Sequence, residues 1–226
     1  WRQGSEVSVD LTVLTPDGDG ELTRTSHLED VADGDGAVTA VRFLEGRVLV
    51  STGMFGRVVQ VIDVTDPASP RRAGSSTLPG DVGYFHPLPG GRALLVGSRS
   101  DWVGSPPDAR SRSWVQAHVL DVSDADSPQV FGTWERPWSH DSVGADHHEL
   151  TFWPDRGLAM WGIRDTQWTG PGAPPLPNHA VVLATDPALG EVAVPEASKP
   201  NEVPPPCPVE QITDPEVRSM VGPDTV

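Results

Sequence analysis

"VIDVTDPASP", residues 61–70, and "VLDVSDADSP", residues 119–128, are nearly the same ten letters. A worn third copy, "VVLATDPALG", fills residues 181–190. Val119 lies 58 positions after Val61, and Val181 lies 62 positions after Val119. Spacing this regular marks a repeat architecture, each period forming one supersecondary unit. Within the first copy, Val61, Ile62 and Val64 end a strand, and Thr65-Asp66-Pro67 opens a turn. The Asp carboxylate accepts hydrogen bonds from backbone N–H groups two residues on, and Pro presets φ for a first corner. A strand leaves the turn at "RRAGSSTL" (71–78), matched after the second copy by "QVFGTWERP" (129–137).

Ahead of each copy stands a hairpin signal. "AVTAVRFLEGRVLVSTG" (37–53) alternates apolar residues, breaks at Glu45-Gly46 and resumes. "GYFHPLPGGRALLVGS" (83–98) does so around Gly90-Gly91, and "HHELTFWPDRGLAMWGI" (147–163) around Pro154 to Gly157. Two short apolar runs about a small Gly-containing turn make a β-hairpin. One period therefore holds about four antiparallel strands. A small twisted sheet that is apolar on both faces needs a neighbouring sheet on each, and ring stacking provides them. The predicted fold is all-β, a β-propeller of four-stranded antiparallel blades with about three to four blades represented, an incomplete ring. "VSVDLTVLTPDGDGEL" (7–22) reads as an earlier strand-turn-strand, and "VRSMVGPDTV" (217–226) as the opening of a later hairpin. Residues 1–226 are expected to be a single partial domain. Two stretches break the pattern: "DWVGSPPDARSRS" (101–113) reads as a surface loop, and the Pro-rich 195–210 as a loop or disordered segment.

Composition agrees. Gly 23 and Pro 24 in 226 residues mean many turns and short elements, and Trp 8 favours strands. The net charge of −16 repels phosphate backbones and anionic lipid, so no nucleic-acid partner is expected. No apolar run reaches the length of a membrane span, so no insertion is expected. Cys207 stands alone, which rules out an intramolecular disulfide and a cysteine-based zinc cluster. A chain opening on Trp1 is expected to be a processed product or an excised piece.

In order, "AVRFLEGRVLVSTG", "VIDVTDPASPRRAG", "LPGDVGYFHPLPGG", "VLDVSDADSP" and "DHHELTFWPDRGLAM" resemble the secreted bacterial and archaeal β-propeller domain proteins, remote relatives of WD repeats. The final "RSMVGPDTV" resembles that family's next blade, cut off. The resemblance implies a secreted or cell-envelope protein. It implies no agreed activity and carries over no catalytic residues. The chain departs from the family in "MFGRVVQ" (54–60), in the Pro-rich loop and in the missing blades, which the full-length chain or a partner chain would supply.

"SHDSVGADHHE" (139–149) is the densest polar cluster. His140, Asp141 and His147 are its candidate ligands for a divalent metal, since imidazole and carboxylate suit such ions. The spacing matches no H-E-x-x-H pattern, and the other reading is a hydrogen-bonded structural cluster. If residues 146–152 form a strand, His148 packs with Leu150 and Phe152 while His147 and Glu149 face away. "PDGDGE" (16–21) and "ADGDGA" (32–37) look like calcium loops. However, the sixth and twelfth places from Asp17 hold Leu22 and Leu28, so they read as hairpin turns. Trp102 and Trp168, in polar stretches, are the candidate binding surface, and Trp153 and Trp161, which flank a hairpin, read as core. His86, before Pro87, reads as structural. No nucleophile elbow, P-loop or dinucleotide fingerprint is present.

The leading functional expectation is a non-enzymatic extracellular or envelope module binding a protein or glycan, with no resident cofactor. A metal-dependent hydrolase or lyase near residues 140–149 is the alternative, and a structural spacer in a larger secreted protein is a third. Asp66→Ala and Asp124→Ala should each cost about 1 kcal/mol by loosening a turn. Valine at Gly90 or Gly91 should cost more, because the hairpin there calls for positive φ. Chemical denaturation of the four variants checks both statements.

Overall fold

The two well-kept copies occupy equivalent places in neighbouring sheets. Asp63 accepts hydrogen bonds from the Thr65 N–H at 3.0 Å and the Thr65 hydroxyl at 2.6 Å, and Asp66 accepts one from the Ala68 N–H at 3.0 Å. In the second copy Asp121 takes the Ser123 N–H and hydroxyl at 2.9 and 2.7 Å, and Asp124 takes the Asp126 N–H at 3.1 Å. Each motif thus holds two successive side-chain-capped turns, as expected of Asp at such corners. In the third copy Leu183 stands where Asp121 stood, and it is fully buried.

The computed structural model describes residues 8–31, 38–52, 57–105, 109–166, 178–185 and 189–191. Strands β1 (Leu11–Pro16) and β2 (Leu22–Leu28) form a two-stranded sheet. The second sheet runs β3 (Val38–Leu44), β4 (Arg47–Thr52), β5 (Val58–Asp63), β6 (Arg71–Thr77) in spatial order. The third runs β7 (Asp81–Leu88), β8 (Arg92–Val103), β9 (Arg110–Asp121), β10 (Gln129–Pro137). The fourth contains β11 (Ser139–His140) and β12 (Thr151–Trp153), both paired to β13 (Leu158–Asp165), then β14 (Asn178–Ala184) and β15 (Gly190–Glu191). All pairings are antiparallel, giving a partial β-propeller with about four blades. In each of the last three sheets a hairpin glycine, Gly46, Gly91 or Gly157, has positive φ. Its carbonyl accepts the N–H of the residue just past the third strand: Val64, Val122 or Thr185. Gly90 has positive φ as well, as its turn required.

Alternate residues of one strand serve different cores. Along β8, Ala93 and Leu95 pack with Leu49, Val59 and Val61 of the second sheet. Leu94 and Val96 pack with Trp161, Ile163, Val181 and Leu183 of the fourth. In β4, Leu49 turns toward the third sheet while Val48 and Val50 pack with Val31 and Leu11 beside the two-stranded sheet. A near-continuous apolar run with both faces buried is what such stacking demands.

Fourth strands also lean on the next sheet. The ladder is irregular between Gln60 and Ile62 against β6, and between Val130 and Gly132 against β9, placing bulges at the equivalent Gly74 and Gly132. A Cβ on Gly74 would lie 2.4 Å from Pro128 Cδ and 2.5 Å from the Asp126 carbonyl oxygen; one on Gly132 would lie 2.8 Å from Leu189 Cβ. The Gly74 N–H donates to the Ala125 carbonyl at 2.8 Å. Beside it Arg71 grips Asp126 of the next sheet through two bonds of 2.6 and 2.9 Å and reaches Asp63 at 3.1 Å.

Two sequence expectations are corrected. Much of 101–113 is strand rather than loop, with Asp101 opposite Arg112, Trp102 opposite Ser111 and Val103 opposite Arg110. The cross-strand Asp101–Arg112 ion pair stands there in place of the apolar burial that the sequence lacks. Residues 147–149 form a one-turn 3-10 helix rather than strand, because the Asp146 carboxylate accepts the His148 N–H at 3.0 Å and bends the chain; His148 is exposed. By contacts the chain divides into two units, Trp1–Ala193 and Val194–Val226. The second, including the 195–210 stretch, lies outside the described residues.

Gly74→Ala should destabilise by about 1–3 kcal/mol, the cost of forcing atoms into a filled contact. Gly162→Ala, whose Cβ meets nothing within 4 Å, is the control and should be near neutral by urea unfolding.

Candidate functional site

The turns joining β3 to β4, β5 to β6, β7 to β8 and β9 to β10 gather at one end of the sheets. At the opposite end lie the last residues of β8 and β13 and the first of β9 and β14. Ser113 and Thr166 hydroxyls meet there at 3.0 Å, and Arg136 reaches Asp165 at 3.5 Å. Both candidate features sit at this end.

The first is a cleft at the break in the fourth sheet. Its first strand is split: β11 pairs with Arg164 and Asp165, β12 pairs with residues 158–160, and residues 141–150 bow out between them. The bow is anchored at Val143, fully buried in the core shared with the third sheet. Gly83 of β7 and Gly144 allow the backbones to meet, since a Cβ on either would lie 3.2–3.3 Å from the other's Cα. Ser142 donates to Glu149 and closes the base of the bow. The cleft is about 490 Å³ and is lined by His140, Asp141, Ser142, Glu149, Arg164 and Asn178, with Gly162 and Ile163. Burial pushes the Asp141 carboxyl above its ordinary range, against the Val143 N–H it accepts at 3.1 Å. The lining is polar and of mixed charge, suited to a small hydrogen-bonding ligand.

The structure brings His140 and Asp141 to this cleft but does not bring His147 with them. Among the described residues, the one group of three metal-type ligands whose donor atoms converge is Asp146, His147 and His148. Arg164 and Asn178 had no signal in the sequence, because strand register alone carries them to His140.

The second feature is the extended β8–β9 hairpin, whose strands are 12 residues each against 6–9 in the other full-length strands of the second and third sheets. Trp102 is 75% exposed near its tip. Directly opposite residues share a face, so Ser100, Trp102, Ser111 and Ser113 stand on one side. The other side is a charged lattice. Arg112 binds Asp101 through two bonds of 2.9 and 2.6 Å and draws its carboxyl down to about 2. Arg99 pairs with Glu135 at 3.0 Å. The guanidiniums of Arg99 and Arg112 lie 4.0 and 4.6 Å from the Trp114 ring centre. Alternation of charge with Ser through 99–103 and 110–114 was the signal for this arm. Trp168, the other binding candidate, lies outside the described residues.

Other singled-out residues are structural. The His86 ring lies against Phe152 with centroids 4.9 Å apart and planes tilted by 57°, it meets the Tyr84 hydroxyl at 3.2 Å, and burial lowers its basicity. Asp17 caps its own hairpin turn, accepting the Asp19 and Glu21 N–H groups at 2.9 Å; residues 32–37 lie outside the described residues.

A family model described as "Beta propeller domain" matches residues 1–186. The chain belongs to that family. No curated protein matches it. In this beta propeller, β3, β7 and the split β11/β12 are the first strands of successive blades. They lie side by side, as the Arg42–Tyr84 contact at 5.9 Å and the His86–Phe152 ring contact record. The cleft thus interrupts a blade's first strand.

His118, buried beneath the arm against Thr133 Oγ1 at 3.0 Å, sits where the preceding blade has Gln60. Burial lowers its pKa from 6.5 to about 4, opposed by Glu135. Between those values the unfolded chain binds a proton that the folded chain does not, so stability falls as pH drops through that window. From pH 7 to 4.5 the loss from this group is about 2–3 kcal/mol. His118→Gln, borrowing the preceding blade's residue, should shrink the fall in unfolding free energy by that amount.

Proposed function

We propose that this beta propeller is a non-enzymatic binding module working outside the cell or in its envelope, and that it binds a neutral glycan through the β8–β9 arm. The observation that carries this reading is Trp102, 75% exposed on a projecting hairpin and flanked on its own face by serines. A sugar ring offers an apolar C–H face that stacks on an indole and hydroxyls that bond to groups beside it. The Arg99–Asp101–Arg112–Trp114 lattice on the opposite face holds the arm extended, so little ordering is left for the ligand to impose. The net charge of −16 disfavours polyanionic glycans. The extracellular setting rests on the resemblance to secreted propeller proteins.

The test is a glycan array with the purified chain, followed by titration of the best neutral oligosaccharide into wild type and Trp102→Ala. The side chain is exposed, so the variant should fold normally. Loss of binding by about tenfold or more supports the proposal, a size ordinary for an aromatic anchor. No glycan retained, or equal affinity in the variant, ends it.

A further inference from the structure

We infer that Asp146, His147 and His148 form a site for a divalent transition metal of the zinc, copper or nickel class. Three consecutive residues on a strand would point to alternating sides. The 3-10 turn at His147–Glu149 gathers them instead, so that one ligand atom from each lies within 4.8 Å of the others. The two imidazole rings lie with centroids 4.2 Å apart and planes tilted by 35°. No hydrogen-bond partner engages either ring among the described residues. Asp146 is oriented because its Oδ1 accepts the His148 N–H at 3.0 Å, and a carboxylate keeps further acceptor capacity with which to ligate a cation.

The segment that presents these donors is held in place. Ala145 and Asp146 N–H groups both donate to the Ser142 carbonyl at 2.8 Å. Ser142 bonds Glu149, Val143 is locked in the core and Gly144 rests on Gly83. Donors around a tetrahedral ion with bonds of about 2.0–2.1 Å stand about 3.3 Å apart. Rotation of exposed side chains is enough to close the remaining gap. Two imidazoles and one carboxylate suit borderline metals and not calcium or magnesium, which favour all-oxygen shells. All three residues are exposed, so the remaining coordination positions open to solvent beside the cleft that Glu149 lines. Neither His140 nor Asp141 belongs to this set.

The test is calorimetric titration of the tag-free chain with zinc ion, with calcium ion as the comparison. One equivalent of zinc should bind with micromolar or tighter affinity, and calcium should not. His147→Ala, His148→Ala and Asp146→Asn should each weaken zinc by about tenfold or more, while His140→Ala should stay within about twofold of wild type. Asn at 146 keeps the cap acceptor, and circular dichroism of each variant should match wild type. Absence of zinc binding, undiminished affinity in any of the three variants, or an equal loss in His140→Ala would overturn the assignment.

Discussion

Every sheet in this protein depends on surface contact with the next. The strands of the third sheet are apolar on both faces, and a free-standing sheet of this kind would expose as much oil as it hides. The interlock is most specific where Gly74 lies against the Asp126–Pro128 turn, with the Gly74 N–H on the Ala125 carbonyl and Arg71 clamped on Asp126. Side-chain burial supplies most of the cohesion. The glycine contact and the ion pair fix the offset at which one sheet meets its neighbour. The repeated ten letters therefore have two duties: they turn the chain within their own sheet and offer a docking edge to the sheet before.

That dual duty explains why the repeat was legible. Asp66, Asp124 and the hairpin glycines act through local hydrogen bonds and φ, and local signals survive in a bare sequence. The bulge glycines were overlooked because their reason is a neighbour in the following repeat: Asp126 and Pro128 for Gly74, Leu189 for Gly132. The 101–113 stretch looked like a loop because it lacks apolar residues, yet its strands are held by Arg and Asp facing each other across the ladder. At 146–149 a single side-chain cap outweighed an apparent alternation and turned the chain. The cleft depended on register: nothing in the letters places Arg164 or Asn178 beside His140.

The two ends of the sheets have diverged differently. At the turn end, glycine carbonyls bonded to Val64, Val122 and Thr185 repeat from sheet to sheet. At the opposite end one hairpin lengthens into an arm, and one first strand breaks open into a bow with a polar cleft. A stacked core tolerates this because the arm extends beyond the packed layer, while the bow returns Val143 to the core shared with the third sheet and sets Gly144 against Gly83. The features proposed to bind ligands lie where the repeat is broken, on a scaffold built by its unbroken parts.

The dependence of one sheet on the next can be measured directly by hydrogen exchange on the chain ended after Pro137. That chain keeps every hydrogen bond within the third sheet but loses the cover that Trp161, Ile163 and Leu183 give to Leu94, Val96 and Val119. Amides of β8 and β9 should exchange far faster than in the full chain, approaching the rates of unprotected amides. Unchanged protection in those strands would contradict the account, because the third sheet would then be stable without its neighbour.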